Sequence, residues 1–156
     1  MAYWLFKSEP YAYSFEQLAA DGTAPWTGVR NWQARNNMKA MKIGDLGFFY
    51  HSSIPQPCAV GICKVVKTAY PDFTQFDPQS EYYDRTSRQE RPKWYMVDVA
   101  YVEALAHPVT LAEMRAEPRL EGMVLLRRGR LSVQPVTPDE WQIVLEMAQQ
   151  RQDSLF

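Results

Sequence analysis

The chain has 156 residues, of which 46% are hydrophobic, and this size and composition predict one domain, residues 1–156, with a single core. It carries 17 basic and 18 acidic side chains, so the formal charge is −1. That balance excludes a protein that holds nucleic acid nonspecifically through a global positive field. Any contact with nucleic acid must therefore be local.

The sequence contains no apolar run near the ~20 residues that cross a bilayer, and its N-terminus lacks a basic stretch followed by a hydrophobic one. We therefore expect a cytoplasmic protein without membrane contact. Cys58 and Cys63 would point to opposite faces of one strand, which argues against a disulfide. With only His51 and His107 as further ligands, the usual zinc sets cannot form, and we expect neither metal nor cofactor.

The first third of the chain predicts a strand and two helices. Tyr3–Lys7 is a short apolar and aromatic run that ends before Pro10, as expected for a strand. A helix begins after Ser14, which can cap it, and ends at Gly22. Asn31 can cap a second helix that ends near Gly44, with an apolar stripe formed by Ala34, Met38 and Met41.

The middle of the chain is rich in strand signals. Leu46–Tyr50 and Ala59–Val66 predict a hairpin with a long loop, in which Gly61 indicates a bulge or a close backbone approach. Residues 71–92 are polar and aromatic without periodicity, and a loop of this length is usually functional or mobile. Trp94–Leu105 follows as the longest strand candidate, apolar on both faces and hence central.

The last third predicts short elements and a final helix. Thr110 opens a short helix with a capping box, and Val124–Leu126 and Leu131–Val133 indicate two short strands. Thr137 then caps the clearest helix of the chain. Because strands and helices do not alternate, we expect an α+β fold, a mixed or antiparallel β-barrel with peripheral helices, rather than a doubly wound sheet.

The segment Trp26–Asn37 is the strongest functional signal, because it holds two indoles, two guanidiniums and four amide side chains. Indoles stack on planar groups, while Arg, Asn and Gln read base edges or carboxylates. For Trp32 and Trp94, core and pocket positions are equally open, since tryptophan is often only partly buried. Trp26 precedes a helix in a loop, where functional residues concentrate, so we expect it to line a pocket.

Other chemistry is poorly supported. Ser52 and Ser53 beside His51 lack the sharp turn of a hydrolase nucleophile, and lone glycines exclude phosphate-cradling loops. The sequence around Cys58 lacks the remaining ligands of a base deaminase. Lys7, Ser8 and Glu9 place a cation, a hydroxyl and a carboxylate at a strand end, which fits either a pocket wall or a solvated terminus.

Several long motifs together resemble the EVE domain, and the match covers essentially the whole chain. They are Tyr3–Pro10, Trp26–Asn36, Gly44–Asp45, Phe48–Ser52, Ala69–Asp72, Thr74–Phe76, Pro92–Val99 and Arg130–Pro135. The resemblance implies a PUA-like fold related to YTH and ASCH domains. It also implies a pocket that binds modified bases, including modified cytosines in DNA, as YTH domains hold a methylated adenine in an aromatic cage.

Pocket candidates follow from the resemblance and from the residues beside it. The resemblance assigns Lys7, Ser8, Trp26 and Asn31 to the pocket, followed by Tyr50, His51, Ser52 and Trp94. We add Glu9, Val29 and Arg30 because they adjoin these positions. Local cations that could contact phosphate are Arg35, Lys39, Arg85, Arg88, Arg128 and Arg130.

These residues favour a non-catalytic reader of a modified base in DNA or RNA. One alternative is an enzyme acting on a modified nucleobase, with Glu9 or His51 as acid or base. Another is a module of the same fold that binds small molecules or proteins, because a fold alone does not determine function.

Overall fold

A computed structural model describes residues 1–153, and the side chains of residues 1–149. The strands are β1 (Tyr3–Ser8), β2 (Thr23–Pro25), β3 (Leu46–His51), β4 (Cys58–Pro71), β5 (Tyr95–Thr110) and β6 (Val133–Val136). The helices are α1 (Phe15–Asp21), α2 (Trp32–Ala40), α3 (Leu111–Arg115), α4 (Val124–Arg127) and α5 (Pro138–Asp153). Two 3₁₀ turns occur at Phe73–Phe76 and Pro118–Leu120. No helix in this described part is long and apolar enough to cross a membrane.

The six strands form one mixed sheet in the order β2-β5-β4-β3-β1-β6. The pair β1 and β3 is parallel, with Ser8 opposite His51, and the other pairs are antiparallel. The predicted α+β class is confirmed. The sheet is open rather than a closed barrel, because the edge strands β2 and β6 do not pair with each other over residues 1–153.

The helices begin after the predicted N-cap residues. The Ser14 hydroxyl accepts a hydrogen bond from the Gln17 amide at 3.0 Å, and the Asn31 side chain accepts one from the Ala34 amide at 2.9 Å. Thr110 forms a complete capping box at α3, and Thr137 accepts from the Glu140 amide at 3.1 Å. These contacts are local in sequence, so the pattern alone identifies them.

The prediction of a strand at Val124–Leu126 is wrong. These residues form α4, closed by a 2.7 Å hydrogen bond from the Arg128 amide to the Val124 carbonyl, and the Leu125 side chain is buried. Three consecutive apolar residues fit a strand or a helical turn equally well, so tertiary contacts decide. Helix α2 also ends earlier than predicted, at Ala40, because the backbone of Met41 is extended and its side chain is buried.

Both faces of the sheet are covered. Phe6 and Phe49 belong to one core cluster with residues of α1 and α2, whereas Leu5 and Phe48 belong to a second cluster with Trp141 of α5. Successive residues of a strand point to opposite faces, which explains why the central strands are apolar at nearly every position. Cys58 and Cys63 are both buried and free.

Gly61 lies where β4 bulges and where helix α1 crosses the sheet. A Cβ atom built on Gly61 would stand 2.0 Å from the ring of Phe15, and the register of β4 with β5 shifts between Ala59 and Gly61. Both readings of Gly61 from the sequence, a bulge and a close approach, are confirmed.

We predict that Gly61→Ala destabilises the protein by about 1–3 kcal/mol, because the new methyl group must displace the packed Phe15 ring. Denaturant unfolding followed by circular dichroism measures this loss. Gly122→Ala is the matched control, since a Cβ there meets no atom within 4 Å. Equal stability of the two variants would contradict the proposed packing.

Candidate functional site

A cleft of about 630 Å³ opens where the carboxyl end of β1 meets the loop between β2 and α2. Parallel pairing brings the ends of β1 and β3 to the same edge, so the loops that follow both strands reach it. The walls are Lys7, Ser8, Glu9, Ala12, Tyr13, Pro25, Trp26, Thr27, Gly28, Val29, Arg30, Ser52, Ser53, Glu81, Tyr82, Gly129, Arg130 and Ser132. A second cavity of about 450 Å³ lies between Pro55–Pro57 and the start of α3.

The structure brings eight of the sequence-predicted residues together in the first cleft. Seven were predicted as base contacts and one as a phosphate contact: Lys7, Ser8, Glu9, Trp26, Val29, Arg30 and Ser52, with Arg130. None of the predicted residues lines the second cavity. The strand end and the tryptophan loop therefore form one surface.

Four other predicted base contacts lie outside the cleft walls. Asn31 uses its side chain to cap α2, and Tyr50 is buried in the core cluster that includes Trp141 of α5. Trp94 stacks on Trp32 and does not itself line the cleft. The His51 Nε2 atom accepts a hydrogen bond from the Phe15 amide at 3.1 Å, and burial lowers the pKa of His51, which favours this neutral acceptor form.

Trp26 serves both the core and the cleft. Its ring meets the rings of Phe6 and Phe49 edge to face, with centroids 5.1 and 5.4 Å away, and only 7% of the residue is exposed. Its amide donates to the Val97 carbonyl at 2.8 Å. Trp26 therefore forms a fixed back wall and offers little free ring surface.

A buried carboxylate holds the loop that follows Trp26. Asp72 is fully buried, accepts a hydrogen bond from the Gly28 amide at 2.8 Å, and pairs with the Arg30 guanidinium at 3.3 Å. Arg30 also donates to the Tyr82 carbonyl at 2.7 Å and to the Thr74 hydroxyl at 3.0 Å. Arg30 and Asp72 thus join two loops into one wall.

Tyr82 and Tyr13 are the aromatic wall residues that the sequence analysis did not select, and Tyr82 forms the wall opposite the strand end. A Cβ atom on Gly28 would lie 2.7 Å from the Tyr82 ring, so the ring packs directly on the glycine backbone. Gly28 has φ of +84°, a conformation that other residues rarely adopt. The signal in the sequence was weak, because Tyr82 is one of two adjacent tyrosines in a long irregular segment.

Lys7 contributes a half-buried cation to the cleft. Its ammonium group donates to the Gly129 carbonyl at 2.5 Å and lies 5.7 Å from the centre of the Tyr50 ring. Burial lowers the pKa of Lys7. No carboxylate forms an ion pair with it among the described side chains, so its positive charge is not neutralised by a salt bridge.

The remaining phosphate candidates are dispersed over the surface. Arg35 donates to the Lys93 carbonyl at 2.8 Å, and Lys39 lies 4.6 Å from the centre of the Tyr95 ring. Arg128 donates to the Gln33 side chain, next to the cleft residue Arg130. Arg85 and Arg88 are exposed in the loop of residues 71–92. Among the described residues, no group of three His, Cys, Asp or Glu side chains could hold a metal ion.

Comparison with known proteins places the chain in a family. The family model described as the EVE domain matches residues 2–147. The chain belongs to the EVE domain family. The resemblance seen in the sequence is thereby confirmed.

Relatives are similar over most of their length. Thymocyte nuclear protein 1 of Gallus gallus is 43% identical, with 96% of this chain and 69% of that protein covered. A hypothetical protein from Leishmania major is 45% identical with a TM-score of 0.94, and 97% of each chain is covered. The human THYN1 protein in complex with 5-methylcytosine-containing DNA is 41% identical with a TM-score of 0.92, covering 95% of this chain and 98% of that one.

The comparison also supports the fold and corrects one expectation. An ASCH protein from Zymomonas mobilis shares the fold at 8% identity and a TM-score of 0.53. The expected cytoplasmic location is contradicted, because the relatives are named thymocyte nuclear protein 1, a name that points to the nucleus. Composition cannot separate nuclear from cytoplasmic proteins, since both lack membrane segments.

We predict that Asp72→Ala lowers the free energy of unfolding by about 3–5 kcal/mol, because Arg30 and the Gly28 amide lose a buried partner. Glu146→Ala is the control: it breaks the exposed pair with Arg119 and should cost no more than about 1 kcal/mol. Urea titrations of both variants measure the difference. A loss from Asp72→Ala as small as that of the control would refute the role of the buried carboxylate.

Proposed function

We propose that this protein is a non-catalytic reader of a modified base in DNA, and that the base flips into the cleft beside Trp26. The observation that carries the proposal is the cleft itself, in which aromatic walls, a half-buried lysine and a hydroxyl converge. The complex of the human relative with 5-methylcytosine-containing DNA supports it. RNA carrying a modified base is the alternative ligand that the experiment below includes.

The dimensions of the cleft suit one nucleotide. Its volume of about 630 Å³ lies within the usual range of small-ligand sites, ~300–1,000 Å³. Flipping a base out of a duplex costs a few kcal/mol, while one stacking contact contributes ~1–3 kcal/mol. Tyr82 can supply that contact, and a few hydrogen bonds to the base edge would offset the rest.

Polar groups in the cleft can read the base edge. The Ser8 hydroxyl donates to the Tyr13 carbonyl at 2.6 Å. The lone pairs of the Ser8 oxygen can therefore accept a hydrogen bond from a donor on the base. The Lys7 ammonium can donate to a base carbonyl oxygen. Cytosine carries both an amino donor and a carbonyl acceptor, so this pair of protein groups matches it.

Recognition of the modification itself would be apolar. Pro25, Trp26 and Val29 form an apolar part of the wall against which a methyl group could pack. One methyl group in such a site is worth only ~1–3 kcal/mol, so we expect modest selectivity for the methylated base. Local cations such as Arg130 would bind the phosphates beside the flipped nucleotide.

The candidate acid and base groups favour binding over catalysis. The His51 Nε2 atom, which a general base would use, already accepts the Phe15 amide and lies outside the cleft walls. Glu9 lines the cleft but accepts a hydrogen bond from the Tyr11 hydroxyl.

We predict that Tyr82→Ala weakens binding to a duplex with one 5-methylcytosine by about 1–3 kcal/mol, because one aromatic stacking partner is lost. Fluorescence anisotropy at two salt concentrations measures the affinity for methylated and unmethylated DNA and for RNA of the same sequence. Tyr83→Ala is the matched control, since Tyr83 is the exposed neighbour that does not line the cleft.

Three outcomes would contradict the proposal. If the wild-type protein binds methylated and unmethylated DNA equally, it is not a reader of 5-methylcytosine. Equal losses in the Tyr82 and Tyr83 variants would show that the cleft does not hold the base. Release of an altered base or nucleoside during incubation, abolished by Glu9→Gln, would establish an enzyme instead.

A further inference from the structure

Trp32, the first residue of α2, exposes 52% of its surface although it is one of the largest apolar side chains. It lies outside the cleft walls and therefore has no part in holding the flipped base. A large exposed aromatic residue beside cations is typical of a binding surface for nucleic acid.

Neighbouring residues hold the Trp32 indole in one orientation. Its ring stacks on Trp94 with centroids 4.5 Å apart and an interplanar angle of 26°. Trp94 is itself fixed, because its Nε1 atom donates to the Asp84 carboxylate at 2.8 Å. The hydrogen bond from the Thr86 hydroxyl is the larger cause, and this one from Trp94 the next, of a pKa of Asp84 lowered to about 2. The acceptor therefore stays ionised.

The aromatic pair is continuous with the cleft. The guanidinium carbon of Arg30, a cleft residue, lies 5.4 Å from the centre of the Trp94 ring. Trp94 in turn stacks on Trp32, so the pair extends outward from the cleft wall. A polynucleotide whose flipped base occupies the cleft can therefore reach this pair with a neighbouring nucleotide.

A guanidinium group contacts the exposed indole of Trp32. The guanidinium carbon of Arg35 lies 4.4 Å from the centre of the Trp32 ring. Arg35 is itself anchored by donating to the Lys93 carbonyl at 2.8 Å. Stacking rings interleaved with guanidinium groups suit nucleobases and their phosphates, because each nucleotide offers a π face and a negative charge.

We propose that Trp32 and Arg35 form a second contact surface, on which a nucleobase next to the flipped one stacks on the ring face now covered by Arg35, while the guanidinium moves from that face to the phosphate. This inference rests on the proposed function. The second contact is insensitive to sequence and to modification, because every base has a π face. It adds affinity for polynucleotide and none for a single nucleotide held in the cleft.

The test compares Trp32→Ala with wild type on two probes, 5-methyl-2′-deoxycytidine monophosphate and a short DNA duplex with one 5-methylcytosine. We expect the variant to bind the duplex roughly 5- to 150-fold more weakly, the loss typical of one stacked aromatic side chain. Its affinity for the mononucleotide should be unchanged. Ile43→Ala serves as the control for loss of an exposed apolar side chain, since Ile43 is 69% exposed.

A duplex lacking the bases that flank 5-methylcytosine, with the backbone intact, separates stacking from backbone contacts. On this probe Trp32→Ala should bind like wild type. A similar loss on the mononucleotide, or a loss that persists without the flanking bases, would overturn the second contact, as would unchanged duplex binding. If wild type does not distinguish methylated from unmethylated duplex but Trp32→Ala still weakens both, the reader function fails while the second contact stands.

Discussion

The buried carboxylate of Asp72 is the interaction on which the cleft depends. It accepts the Gly28 amide and pairs with Arg30, and Arg30 in turn holds the Tyr82 carbonyl and contacts Trp94. Two irregular segments, far apart in sequence, thereby form one rigid wall. A reader of small chemical differences needs such rigidity, because a methyl group contributes too little free energy to also order a loop.

The sheet places the opposite wall. Since β1 and β3 run parallel, both end at the edge where Ser8 and His51 lie side by side. Their roles then differ: Ser8 lines the cleft, while His51 anchors the start of α1 through the Phe15 amide. Trp26 connects this wall to the core, and its burial makes Tyr82 the better stacking partner.

Local signals predicted much of this fold, and long-range contacts account for what they missed. The caps at Ser14, Asn31, Thr110 and Thr137 depend on neighbours within three residues, so the sequence identifies them. Residue types pointed to the tryptophan loop and the strand end, and the family resemblance assigned both to one pocket. Tyr82 meets Gly28 only because Asp72 and Arg30 fold a long polar loop back, and no local pattern encodes that approach. The helix at 124–127 was missed because its apolar residues also fit a strand.

Chemical-shift mapping with 5-methylcytosine-containing DNA tests most directly whether the base enters this cleft. In titrations followed by ¹H–¹⁵N correlation spectra, the amides of Gly28, Ser53 and Tyr82, which line the cleft, should shift most. The amides of Leu111 and Ala112, which line the second cavity, should stay unchanged and serve as the internal reference. Shifts centred on Leu111 and Ala112, with Gly28 and Tyr82 unmoved, would contradict the assignment of the base to the Trp26 cleft.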